Sequence, residues 1–205
     1  MQNIPEYLKP YKEAVNIHGG TFDATLWKSK DGQELRFKTF CDFIDFNKST
    51  ILDVGCGIGD FAQYLIDKSI SFTSYHGIDA MPEMIDAATS KNMARTTFST
   101  IDIVTNLDAL GKYDWIIFSG TLNAMNEDMA FKIIESAFNV CNLGIAYNFL
   151  SNRSGRNPDK EDLTPASRFN TIGWIDYALN LSPCVDFTQT YLGGHDSTIV
   201  ITKQA

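Results

Sequence analysis

The chain is short of several things, and each shortage removes a class of function. Its four cysteines, Cys41, Cys56, Cys141 and Cys184, form no Cys-x-x-Cys pair, so a disulfide scaffold is not expected and buried free thiols in a reducing compartment are. Three histidines lie far apart, His18, His76 and His195, which together with the lone cysteines predicts no metal site. No run of apolar residues reaches membrane-spanning length. The opening segment holds Pro5, Glu6, Lys9, Pro10, Lys12 and Glu13 where a signal peptide would be apolar, so a cytoplasmic location without a membrane partner is expected. Basic residues are also scarce, with 17 Lys and Arg against 25 Asp and Glu and a net charge of −8, which makes a nucleic-acid partner unlikely on the sequence. The nearest thing to a basic patch, Arg153, Arg156 and Lys160, is interleaved with Asp159, Glu161 and Asp162.

What remains is an ordinary globular composition, 44% hydrophobic and 20% charged over 205 residues, which suits one domain spanning residues 1–205. From residue 49 onward, short β-rich runs alternate with helical stretches, the pattern of parallel strands joined by crossover helices. The spacing predicts strands over 51–54, 72–78, 97–101, 113–118 and 145–150, with helices over 61–68, 83–89 and 127–141 between them. The polar stretch 151–170 interrupts this rhythm and reads as a long loop, a candidate lid. A helix over 171–181 and a glycine-turned hairpin, 184–191 and 197–202, close the chain. Residues 1–48 read as a helical cap in which Phe37, Phe40, Phe43 and Ile44 form a buried stripe.

The sharpest local feature is Asp53-Val54-Gly55-Cys56-Gly57-Ile58-Gly59-Asp60, a glycine-rich turn from a strand into a helix. Glycines permit a tight turn and a close backbone approach to a ligand. Their spacing, G-x-G-x-G, differs from the G-x-G-x-x-G of dinucleotide folds, and Asp53 and Asp60 bracket the loop where a pyrophosphate would be repelled. A ligand with a cationic end fits better. Asp79 ends the next strand 20 residues beyond Gly59 (79 − 59), the distance at which an acid accepts from ribose hydroxyls, although an acid there also caps a helix. After the third strand, Asp102 is placed to accept from an adenine amine with Ile103 on the ring. After the fourth, Ser119-Gly120-Thr121-Leu122-Asn123 faces the reaction centre.

With these residues in hand, the chain resembles class I S-adenosylmethionine-dependent methyltransferases. Leu52 to Asp60 is similar to the family's first motif and His76-Gly77-Ile78-Asp79-Ala80-Met81-Pro82-Glu83-Met84-Ile85 to its second. The resemblance implies an α/β, Rossmann-like doubly wound sheet of seven strands, mostly parallel with a C-terminal antiparallel hairpin, in three α/β/α layers. It implies S-adenosylmethionine as cofactor, held by Asp53, Gly55, Cys56, Gly57, Gly59, Asp60, Asp79, Ala80, Met81, Asp102, Ile103, Ser119 and Gly120. The stretch from His18-Gly19-Gly20 to Phe37 is similar to the prelude of a bacterial small-molecule branch, which implies that Trp27, Gln33 and Arg36 close over the methionine part, with Arg36 pairing its carboxylate bidentately. No Asn-Pro-Pro-Tyr motif follows the fourth strand, which argues against transfer to the amide and amino groups of proteins and nucleic acids.

Methyl transfer from a sulfonium is an in-line displacement, so alignment and exclusion of water matter most. A hydroxyl or carboxylic acid acceptor also profits from a base, for which His195 and His18 are the candidates. Asn123, Tyr147 and Asn148 are the expected contacts to a small-molecule acceptor. Two rivals share these features. One is a nicotinamide-dependent oxidoreductase, disfavoured by the glycine spacing and flanking acids; the other is a protein that binds the cofactor without transferring from it.

Overall fold

Trp115, Ile116, Ile117 and Phe118 are all buried, as a strand covered on both faces must be, and they occupy the middle of the sheet. In the computed structural model, which describes residues 4–154 and 165–204, seven strands run in the order β3-β2-β1-β4-β5-β7-β6. They are β1 Thr50–Val54, β2 Ser74–Asp79, β3 Thr96–Thr100, β4 Trp115–Phe118, β5 Gly144–Leu150, β6 Val185–Thr188 and β7 Asp196–Thr202. The first five pair in parallel; β7 runs antiparallel to both β5 and β6. The strand order reverses between β1 and β4, the switch point where open α/β sheets leave a crevice.

Among the described residues six α-helices complete the layers: α1 Lys9–His18, α2 Lys30–Phe43, α3 Asp60–Asp67, α4 Pro82–Ser90, α5 Glu127–Val140 and α6 Thr171–Leu181. Each long helix has a local reason to start. The Ser29, Asn126 and Asn170 side chains accept from the N–H three residues on, capping α2, α5 and α6, and Pro82 sits in the first turn of α4. One face of the sheet packs Leu52, Ile116, Tyr147 and Ile199 under α5 and α6; the other packs Ile51, Tyr75, Ile117 and Val200 under α2 and α3. Trp174 is fully buried, stacked on Phe169 at 5.4 Å, with its indole N–H donated to Glu127. A third, smaller cluster joins Ala14, Val15 and Ala24 of the cap to Ile58, Met81 and Met84, so the N-terminal helix closes over the glycine loop.

Several expectations need correction. Strand and helix do not alternate throughout: the β3–β4 connection holds only a 3-10 turn, Leu107–Leu110. Phe43 is exposed while Phe37, Phe40 and Ile44 are buried, because α2 ends at Phe43 and Ile44 turns inward on extended backbone. Cys184 is exposed and Cys41 half-buried, so only Cys56 and Cys141 are buried thiols. The hairpin has no tight glycine turn. β6 stops at Thr188, and Leu192, Gly193 and Gly194 take φ of 49°, 64° and 75° in succession before His195. Within the expected loop 151–170, Ser151 pairs with Phe169 in an isolated bridge; Arg156, Asp159, Lys160, Glu161, Asp162 and the middle of the proposed lid lie outside the described residues.

Candidate active site

Where β1 runs out, the chain turns on three glycines with φ of 75°, 53° and 76°, the left-handed region that side chains avoid. The N–H groups of Gly55 and Cys56 both donate to the Ile78 carbonyl, at 2.8 and 3.0 Å, which straps the loop to β2. A Cβ on Gly55 would lie 2.4 Å from the Thr121 hydroxyl, which itself donates to Val54 O at 2.7 Å. Gly59 caps α3 and packs toward Phe98 and Met93; it shapes the turn without lining the cavity.

Above the loop opens a cavity of about 420 Å³, within the range of small-ligand sites. Apart from Gly59, every residue expected to hold the cofactor lines it, as do Gln33, Asn123, Asn148 and His195. His18 does not: it is exposed at the end of α1, so it is no candidate for a base. Tyr147 does not either. Successive strand residues face opposite sides of a sheet, so Asn148 points to the cavity while Tyr147 is fully buried against Trp174 at 5.3 Å between ring centroids.

Carboxylates dominate one half. Asp79 accepts from the Gly57 N–H and the Met81 N–H, both at 2.9 Å, so it organises the loop and the start of α4 together. Burial raises its pKa, and those backbone donors oppose the rise. Asp53 is buried, with one oxygen accepting from the Tyr75 hydroxyl and the other without a partner among the described residues. Burial pushes its pKa up to about 7; the Tyr75 bond resists this, and the nearby Asp79 and Asp60 charges add to it. Asp60 pairs with Lys91 at 2.9 Å. Asp102 accepts from the Tyr7 hydroxyl at 2.7 Å and the Val104 N–H at 3.0 Å. Tyr7 and Tyr11, both lining the cavity, were not singled out by sequence reasoning; their four-residue spacing at the start of a helix was the available signal.

The other half is assembled by the cap and β7. Arg36 gives Asp196 a bidentate pair, Nε to Oδ2 at 2.5 Å and Nη2 to Oδ1 at 2.8 Å, and donates from Nη1 to Gly32 O at 2.8 Å. The fork expected to take a ligand carboxylate is therefore filled from within the chain. Its guanidinium stands 4.5 Å from the centre of the Trp27 ring, whose benzene edge meets Gly120. His195 Nδ1 lies 2.7 Å from Asp196 Oδ1. Asn123 has both ends of its amide engaged by backbone, Nδ2 to Ser167 O at 2.6 Å and Oδ1 from the Leu150 N–H at 3.0 Å, so it anchors the chain returning from the loop. A Cβ at Gly120 would lie 2.4 Å from Trp27, at a φ of 70°. Gly120→Ala should therefore unseat the indole: emission from Trp27 shifts to longer wavelength while buried Trp115 and Trp174 stay put, and an unchanged spectrum would refute the packing.

Among the described residues five acids, Asp53, Asp60, Asp79, Asp102 and Asp196, face this cavity against Arg36 and the rim residue Lys28, which favours a ligand with positive charge. Three buried polar atoms along it have no partner among the described residues: Asp53 Oδ1, Ser119 Oγ and Asn148 Nδ2. Atoms left so in a native fold call for a partner such as water, an ion or a ligand. They suit an ammonium, hydroxyls and a carboxylate or other oxygen, which is the donor and acceptor set of S-adenosylmethionine. Among the described residues no cluster of three or more His, Cys, Asp or Glu is gathered as metal ligands, and no helix is long and apolar enough to cross a membrane.

Comparison with known proteins agrees. Residues 51–144 match the family model for a methyltransferase domain. A search of curated proteins gave no significant match. Among solved structures, the chain is similar to magnesium protoporphyrin IX methyltransferase (ChlM) from Synechocystis PCC 6803 with bound SAM, at 14% identity and TM-score 0.68 with 100% of both chains covered. It is similar to DhpI in the DhpI-SAM-HEP complex, at 12% identity and TM-score 0.73, over 99% of this chain and 100% of that one. The plantazolicin methyltransferase BpumL, in complex with a triazolic desmethylPZN analog and SAH, aligns at 15% identity and TM-score 0.68 over 96% of this chain and 90% of that one. These likenesses carry the fold, that of class I S-adenosylmethionine-dependent methyltransferases, and residues 51–144 match a methyltransferase domain.

Proposed function

We propose that the chain transfers the methyl group to a small-molecule acceptor bound beside the cofactor. The observation that carries this reading is one continuous cavity across the switch point, with acids at the β1–β3 end and His195 and Asn148 at the β5–β7 end. When bound, the sulfonium supplies an electrophilic methyl group. The protein's part is placement. Asp53 and the glycine loop are proposed to take the ammonium, Asp79 the ribose hydroxyls, and Asp102 with Ile103 the adenine. Cys56, Ala80 and Met81 pack around the nucleoside, and Trp27, Ser119 and Gly120 form the walls nearest the transfer. Tyr7, Leu8 and Tyr11 of the cap cover the acid half and exclude water, which strengthens each polar contact beneath.

Asp79→Ala tests the assignment by calorimetric titration with S-adenosylhomocysteine. Two charge-assisted hydrogen bonds to a ligand amount to roughly 3 kcal/mol, so affinity should fall about a hundredfold. Unchanged affinity would remove the ribose assignment, and tight binding of NAD in the same assay would favour an oxidoreductase.

A further inference from the structure

Tyr7 stands in the 3-10 turn Glu6–Leu8 just before α1, lines the cavity, and donates its hydroxyl to Asp102 Oδ2 at 2.7 Å across 95 residues of chain. Burial and the Asp102 carboxylate both raise the Tyr7 pKa, so the hydroxyl keeps its proton and stays the donor. The other oxygen, Asp102 Oδ1, accepts from the Val104 N–H at 3.0 Å. One lone pair on each oxygen is thereby used and one on each is left. The torsion that turns an aspartate carboxylate is broad, with no staggered well to hold it, so a donor on each oxygen is what fixes its plane. Val104 is local, two residues along the chain. Tyr7 arrives only with the cap, which Lys12 ties to Glu83 of α4 at 2.6 Å and which packs Ala14 and Val15 with Met81 and Met84.

An ionised carboxylate only accepts. Beside it Ile101, Ile103 and Val104 at the end of β3, with Leu8 of the cap, line the cavity with apolar side chains suited to the faces of a flat ring. A carboxylate pinned in such surroundings favours a base that brings a hydrogen-bond donor and is left unmatched by one that does not. We infer that Tyr7 is a positioning residue for the cofactor's base: by fixing the plane of Asp102 it makes the site demand an amino group on the purine, and it ties that demand to closure of the cap. This rests on the assignment of Asp102 to adenine under the proposed function. Tyr7 acts through Asp102, so removing its hydroxyl should alter which base is preferred and not merely how tightly the cofactor is held.

The test is a ratio of two affinities, from calorimetric titration of the full chain with S-adenosylhomocysteine and with its 6-deamino analogue, whose purine carries hydrogen in place of the amine. The parent should prefer S-adenosylhomocysteine by about thirtyfold, the effect of one hydrogen bond to a charged group. Tyr7→Phe removes the hydroxyl, keeps the ring, and should bring that preference down to about threefold. Lys12→Gln breaks the bond to Glu83; it should weaken both ligands alike and keep the parent's ratio. A preference in Tyr7→Phe that stays within about twofold of the parent's, or rises, overturns the inference. So does an equal fall of the ratio in Lys12→Gln, which would reduce Tyr7 to cap packing. Asp102→Ala separates the inference from the reading beneath it. If that variant keeps the parent's preference, Asp102 is not on the base and the adenine assignment falls together with the inference. If the preference vanishes there yet survives in Tyr7→Phe, the assignment stands and the inference alone fails.

Discussion

Replacing Arg36 with methionine should lower the melting temperature by about 10 °C, from a loss of ~3–5 kcal/mol at roughly 2–4 °C per kcal/mol for a chain of this size. Arg36 and Asp196 are both buried, 6% and 2% exposed, and joined by a bidentate pair. Removing the cation leaves the Asp196 carboxylate desolvated beside the His195 imidazole without its guanidinium, which costs far more than the pair contributes over an apolar replacement. The double variant Arg36→Met/Asp196→Leu should accordingly recover more than half of the lost stability. Calorimetric melts of both decide the matter: if Arg36→Met melts within about 2 °C of the parent, the pair is not desolvated as described. The same change withdraws the guanidinium from the Trp27 ring, so the cap and β7 should loosen together.

Affinity for S-adenosylhomocysteine should rise about tenfold between pH 6 and pH 8, following one group with a pKa of about 7. That group is Asp53. Burial, with Asp79 and Asp60 nearby, keeps its carboxyl protonated well above the usual range, whereas a ligand ammonium favours the ionised form. Binding therefore releases a proton at low pH and is weakened there. The sign for stability is opposite. A carboxyl whose folded pKa is raised contributes stability that is fully present below its ordinary value and is lost as pH rises through about 7. Asp53→Asn should thus bind weakly with a flat pH profile, yet melt higher than the parent at pH 8 without ligand. A slope that survives in the variant would assign the proton to another group; Asp79, whose pKa burial also raises, is the next in line.

The glycine loop shows how much of the site could be read without coordinates. Left-handed turns favour glycine, so three glycines at alternate positions announced a tight loop, and Asp79 was expected beside it from spacing alone. The helix over Thr171–Leu181 was legible to its ends because Asn170 and its apolar spacing are local signals. Tyr147 and Asn148 were legible as a strand end, but which of the two faces the ligand depends on the register with β4 and β7, where Phe118 and Thr198 stand opposite them. Asn123 was recognisable as polar and central; that its amide is bound to Ser167 and Leu150 follows only from the chain's return after the loop.

Sequence by itself settled elements whose cause lies within a turn or two: most of the strands and helices, the glycine turn, the proline start of α4 and an acid at the end of β2. Tertiary structure alone decided the partnerships between distant segments, such as Arg36 with Asp196 across 160 residues and Tyr7 with Asp102 across 95. Backbone preference acts over a few bonds, whereas burying a charge selects its partner from whatever the packed chain brings within reach, and that neighbourhood exists only after the cap has closed on the sheet.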